Sequence, residues 1–107
     1  MVLTIMDSAT IEISELKENA AMASDLLKVM ANQSRLLILC HLLGGEKSVN
    51  ELQCEVGLSQ SALSQHLAVL RNAKLVTTRR EAQKIYYRLA SAEAETIIGT
   101  LYNLYCA

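Results

Sequence analysis

The chain has 107 residues, a hydrophobic fraction of 51% and a formal net charge of −1. That length fits one domain around one core, and that apolar content excludes a chain disordered throughout. No apolar run approaches the ~18 residues of a membrane span, and the start MVLTIMDSATIEIS lacks the basic n-region of a secretory signal, so a cytoplasmic protein is expected.

Residues 1–11 read as a flexible tail, leaving 12–107 as a single folded domain. Helix 1 is predicted over about Glu15 to Met30, where Leu16, Ala20, Ala23, Leu27 and Met30 recur at three- and four-residue steps. Ser14 is its expected N-cap. Helix 2 is predicted from Ser34 to Leu43. It is apolar nearly all round apart from His41, which marks it as central, and Gly44-Gly45 ends it. Ser48-Val49-Asn50-Glu51 has capping-box spacing and opens a short helix 3 that runs to Val56.

Gly57 makes the next turn, and Ser59 caps helix 4, Gln60 to Asn72. Leu63, Leu67 and Leu70 form its buried stripe. Gln60, Ser61, Ser64 and Gln65 lie on another side. They are short or planar hydrogen-bonding groups without charge, suited to base edges, and Gln pairs in bidentate fashion with adenine. A solvated face more often carries Glu and Lys.

Leu75 to Arg80 and Lys84 to Leu89 read as two strands joined by Glu81-Ala82-Gln83. Ser91 caps helix 5, which runs to about Tyr105. Its face of Ile97, Ile98, Leu101, Leu104 and Tyr105 is either one broad intramolecular surface or, as preferred here, a dimer interface shared with helix 1. The fold class is mainly α with a β-hairpin wing: a winged helix-turn-helix of four helices, two strands and a last helix.

The charge distribution agrees with a DNA-binding domain. Residues 56–90 hold Arg71, Lys74, Arg79, Arg80, Lys84 and Arg88 against Glu81 alone, a local net of +5. Phosphate responds to this local field, within a Debye length of ~8–10 Å, rather than to the total. Ser59, Gln60, Ser61, Ser64 and Gln65, with Arg71 farther along helix 4, are the candidate recognition residues. Arg79, Arg80 and Lys84 of the wing are candidate phosphate or minor-groove contacts. The expected partner is a near-palindromic double-stranded operator.

Three segments carry a family resemblance. They are Met30 to Leu39, Ser48 to Leu52, and the run SQSALSQHLAVLR from Ser59 to Arg71. They resemble the ArsR/SmtB winged-helix repressors, and Lys84-Ile85-Tyr86-Tyr87-Arg88-Leu89 matches that family's second wing strand. The resemblance covers about residues 15–106. Gln33-Ser34 departs from it where many members have a proline before the Arg. Within the family the chain is most similar to the HlyU, BigR and SqrR group, which lacks a metal site and carries one cysteine in helix 2 and one near the end of helix 5. Cys40 and Cys106 hold those positions. The resemblance implies a redox switch at Cys40 and Cys106, with reactive sulfur species or other oxidants as inducer.

The residues alone leave the cysteines open. Cys40 equally fits a small buried hydrophobe, and both Cys40 and Cys106 sit near predicted helix C-termini, where the dipole disfavours a thiolate. Cys54 is a core filler or a bystander. His66 reads as structural or phosphate-side. The Cys54 region holds a single thiol, and residues 92–106 hold Glu93 and Glu95 but no His, so no zinc-ligand set is visible and no metal or other cofactor is expected. No Gly-rich phosphate loop and no Ser/His/Asp constellation occurs, so no enzyme is expected. Two alternatives stay open beside the thiol-switched repressor: a constitutive DNA-binding regulator or counter-silencer, and, less favoured, a metal-responsive repressor.

Overall fold

The structure is a computed structural model that describes the backbone of residues 2–5 and 9–106 and the side chains of residues 12–106. Val2–Ile5 (β1) and Ala9–Glu12 (β2) form an antiparallel ribbon with Val2 opposite Glu12. Met1 and residues 6–8 of the expected tail lie outside the described residues.

Helix α1 (Ile13–Met30) follows β2 without a break. Ser14 therefore lies inside the first turn and is not the cap. Glu12, the last extended residue, holds that position and makes no side-chain cap bond. Helix α2 (Gln33–Leu42) starts one residue earlier than expected because Asn32 Oδ1 accepts the Arg35 N–H at 3.1 Å. Such a cap contributes about 0.5–2 kcal/mol. The Arg35 Nε donates to the Val29 carbonyl at 2.6 Å, which ties the start of α2 to the end of α1.

Helix α2 is central, as its all-round apolar character requires. It packs against α1, the short helix α3 (Val49–Val56), the long helix α4 (Gln60–Asn72) and the C-terminal helix α5 (Ala92–Tyr105). Ile38 and Leu39 are fully buried, together with Leu52, Leu63, Leu70 and Ile98 from the surrounding elements. Burying a Leu or Ile side chain contributes about 1.5–3 kcal/mol. Because Ile38 and Leu39 face different ways around α2, their burial demands neighbours on more than one side.

The helix-turn-helix is built as its sequence predicts. Ser48 and Glu51 form a reciprocal capping box: the Ser48 N–H donates to Glu51 Oε1 at 2.9 Å and the Glu51 N–H to Ser48 Oγ at 3.1 Å. Gly57 takes the left-handed conformation (φ 76°) that ends α3. Ser59 Oγ accepts the Ala62 N–H at 3.1 Å and starts α4. Ser91 caps α5 in the same way.

Two features of the wing differ from the expectation. Lys47–Ser48 forms a short strand (β3) that pairs with Tyr86 and Tyr87 of strand β5 (Lys84–Leu89), giving with β4 (Val76–Glu81) a three-stranded sheet in the order β3, β5, β4. Strand β4 spans Val76–Glu81, so Glu81 pairs with Lys84 and the tip is only Ala82-Gln83. Ala82 has φ 56°. A positive φ at the first of two loop residues matches the right-handed twist of the strands, so the ladder continues one pair farther than expected.

The helix 1 stripe also divides. Met30 is buried, and Leu26 and Val29 pack on the core, while Ala20, Ala23 and Leu27 face outward.

Lys74, between α4 and β4, has φ 63°, a region that costs a residue with a Cβ about 1–2 kcal/mol. Lys74→Gly is expected to raise the melting temperature by a few degrees in a thermal denaturation monitored by circular dichroism. An unchanged or lower value would show that Lys74 contributes more than its backbone strain removes.

Candidate nucleic-acid interface and cysteine pair

Leu63, Leu67 and Leu70 hold one side of α4 in the core, so its opposite side is outside. Gln60, Ser61, Ser64 and Gln65 are all exposed there. Gln60, Ser64 and Arg71 line a groove of about 620 Å3 between α4 and the wing, closed by Asn50 of α3 and by Gln83 and Lys84 of the wing. Ser61 and Gln65 are not among its lining residues. Ser59 is committed to its cap bond. His66 is half-buried, on the flank away from Gln60 and Ser64.

Asn50 and Gln83 are groove residues that the sequence reading did not assign to DNA. Asn50 carried the same signal as Gln60: an uncharged amide on the exposed side of a helix N-terminal turn.

The bases divide into two kinds. Among the described residues, Arg71, Arg80 and Lys84 form no ion pair and are exposed. Arg79 differs. Its Nη2 lies 2.6 Å from Glu46 Oε1, its Nε donates to both Glu46 oxygens at 3.1 Å, and its Nη1 lies 2.8 Å from Glu81 Oε2. Its guanidinium lies 4.5 Å from the centroid of the Tyr86 ring. The Arg79 hydrogen bonds hold the Glu46 carboxyl below the usual carboxylate range and push Arg79 above its own.

All three cysteines are free thiols. Cys40 is half-buried on α2 against the core, whereas Cys54 and Cys106 are exposed. Cys106 ends α5, with its N–H donating to the Tyr102 carbonyl at 2.7 Å. Burial pushes the Cys40 thiol above its ordinary value, and the charge of Cys106 adds to the shift. Cys106 is thus the thiol whose charge is felt at Cys40. Cys40 and Tyr102 line one cavity of about 650 Å3 with His41, Lys47 and Glu55. There Glu55 pairs with His41 Nδ1 and with Lys47 Nζ, both at 3.1 Å. His41 shares this cavity although it follows Cys40 directly in α2. Among the described residues no three His, Cys, Asp or Glu side chains converge as a metal-ligand group, and no helix is long and apolar enough to cross a membrane.

A second groove, of about 790 Å3, runs between α1 and α5 and is lined by Met22, Ala23, Leu26, Ala92 and Ile97. Met22 and Leu27 on α1 and Tyr102, Leu104 and Tyr105 on α5 are large apolar side chains left exposed, Tyr105 at 83%.

A family model described as bacterial regulatory protein, arsR family, matches residues 32–78. The chain is 52% identical over 101 residues to the transcriptional activator HlyU of Vibrio cholerae, covering 94% of each chain. It is 42% identical over 102 residues to the biofilm growth-associated repressor of Agrobacterium fabrum, covering 95% of this chain and 87% of that one. The solved structure of reduced HlyU from Vibrio cholerae superposes with a TM-score of 0.86 at 54% identity, over 89% of this chain and 100% of that chain. The homodimeric winged helix-turn-helix DNA-binding domain of a possible ArsR-family regulator from Mycobacterium bovis gives 0.73 at 26% identity, over 87% and 86%.

The cysteine geometry sets an order of reactivity. At pH 7.5 iodoacetamide is expected to label Cys54 and Cys106 before Cys40, and Cys40 labelling is expected to climb as pH passes the ordinary thiol value, since the raised group ionises late. Peptide mapping of a labelling time course reads this directly. Cys40 labelled first at neutral pH would contradict it.

Proposed function

The chain belongs to the arsR family of bacterial regulatory proteins and is a DNA-binding transcriptional regulator; from that premise we propose a homodimeric repressor that holds its operator while its thiols are reduced and leaves it when Cys40 and Cys106 are joined. The observation that carries the DNA reading is the uncharged exposed side of α4 beside the unpaired bases Arg71, Arg80 and Lys84. Gln60, Ser61, Ser64 and Gln65 read base edges in a major groove, and Arg71, Arg80 and Lys84 meet phosphates.

The DNA-binding and dimerisation domain is residues 12–107, with residues 1–11 preceding it. The dimer forms through α1 and α5. Support comes from the outward Met22, Leu27, Leu104 and Tyr105, and the Mycobacterium bovis relative is itself homodimeric. A two-fold axis then sets a near-palindromic operator with half-sites roughly 34–36 Å apart.

The switch draws support from the charge of Cys106 felt at Cys40 and from Tyr102, one turn before Cys106, lining the same cavity as Cys40. With an organic persulfide as inducer, the exposed Cys106 thiolate attacks the sulfane sulfur and expels the organic thiol. Cys40 then attacks the Cys106 sulfur and expels hydrosulfide, leaving a disulfide. The bridge ties α2 to the end of α5, and both helices reach the recognition helix, α2 directly and α5 through the core. An allosteric coupling of about 1–3 kcal/mol, ~5–150-fold in affinity, suffices to empty an operator.

A second reading is a constitutive DNA-binding activator or counter-silencer. It draws on the likeness to an activator and on the raised Cys40 thiol, a weaker nucleophile at neutral pH. Replacing Cys40 and Cys106 by Ser separates the two, because an oxidant response that survives the replacement belongs to neither thiol.

Gln65→Ala is expected to relax sequence preference by about 1–3 kcal/mol at one operator position in a competition assay. Arg80→Ala is expected to weaken all sequences alike and to lower the salt slope by about 1. Unaltered discrimination by Gln65→Ala would remove it from the readers. Peptide mapping of persulfide-treated protein is expected to show a Cys40–Cys106 link. A link only through Cys54, or none, would contradict the switch.

A further inference from the structure

After α2 the chain crosses two glycines with no packing on them: a Cβ at Gly45 would meet nothing within 4 Å, and one at Gly44 only the His41 carbonyl, at 4.0 Å. The next three residues are each tied to another element. Glu46 holds Arg79 of β4, Lys47 holds Glu55 of α3, and Ser48 caps α3. Lys47 and Ser48 also pair with β5. This short segment is thus where the end of α2, the helix-turn-helix and the wing are fastened together.

Arg79 is the wing's part of that fastening. Its Nε, Nη1 and Nη2 are all engaged by carboxylates, and Tyr86, its cross-strand partner in the β4–β5 ladder, lies against its guanidinium. A DNA phosphate would meet a guanidinium whose charge is already neutralised by two carboxylates. Arg80 projects from the opposite side of the strand, by the period of two, and forms no ion pair among the described residues. The adjacent arginines are therefore not equivalent.

We infer that Arg79 is not a phosphate contact but the positioning residue of the wing, holding it through Glu46 against the end of α2 so that Arg80 and Lys84 meet the DNA at a fixed tilt. The inference rests on DNA binding by the family and not on the thiol switch. An exposed ion pair contributes little to global stability, so its effect is on orientation. The usual electrostatic expectation runs the other way: removing the Glu46 charge from a DNA-facing surface should tighten binding.

The test measures operator affinity across salt concentrations for the full chain and for Glu46→Gln, Arg79→Gln, the double variant and Arg80→Gln, under reducing conditions. Glu46→Gln and Arg79→Gln are each expected to weaken binding by a similar factor, roughly 2–30-fold, the range seen for residues that act through others. The double variant is expected to be no worse than either single one, and the salt slope to stay that of the parent. Arg80→Gln alone flattens the slope. The inference is overturned if Arg79→Gln flattens the slope as much as Arg80→Gln, if Glu46→Gln binds as well as the parent or better, or if the two effects add. Should Arg79→Gln fail to fold, Glu46→Gln decides by itself: weaker binding at an unchanged slope supports the inference, and any other result overturns it.

Discussion

The burial of Ile38 and Leu39 at the centre of α2 is the constraint on which the rest of the molecule depends. Two neighbouring residues in a helix point about 100° apart, and both are fully covered. Covering them takes α3 and α4 from one part of the chain and α5 from another, with β5 against the same helix. Once α4 gives its Leu63, Leu67 and Leu70 side to this core, its Gln60, Ser61, Ser64 and Gln65 side has nowhere to go but outward. The same helix carries Cys40 at the edge of the core, half-covered, where the end of α5 can reach it. The candidate recognition surface and the placement of Cys40 both follow from one packed helix.

Charge then sorts the surface. The wing and α4 carry five of the ten Lys and Arg against Glu81 alone, while the other carboxylates lie elsewhere in the chain, which reconciles a net charge of −1 with a DNA-facing surface. Glu46 and Glu81 lie beside the wing bases, and both are paired with Arg79. Carboxylates beside a nucleic-acid surface repel phosphate unless they neutralise a base or hold one in place. Here the pair sits beside the sheet that joins the wing to the start of α3.

Elements closed by local chemistry were legible in the sequence. The bounds of α3 and α4 follow from the Ser48–Glu51 capping box, Gly57 and the Ser59 cap, each within a few residues of what it ends or begins. Elements closed by distant partners were not. Strand β3 is two residues long and exists through its pairing with Tyr86 and Tyr87. Ser14 lost the cap position because a strand runs directly into α1. The helix 1 stripe merged two surfaces, since periodicity marks apolar sides without saying which cover the core and which stay open. Arg79 read as one base among several, because its partner Glu46 lies 33 residues away. The approach of Cys106 to Cys40 had no signature in spacing at all; only the family resemblance pointed to that pair.

Under the proposed switch, the state of Cys40 at the edge of the core and of Cys106 at the end of α5 governs binding at α4 and the wing. The most direct test is operator affinity at one fixed salt concentration, for reduced protein and for protein treated with an organic persulfide, on DNA from upstream of its own gene. A thiol switch predicts a loss of roughly tenfold or more, within the span of ordinary allosteric couplings, fully restored by dithiothreitol. Equally tight binding before and after treatment would contradict it and leave Cys40 as a packing residue, and Cys106 as an exposed bystander, of a constitutive DNA-binding protein.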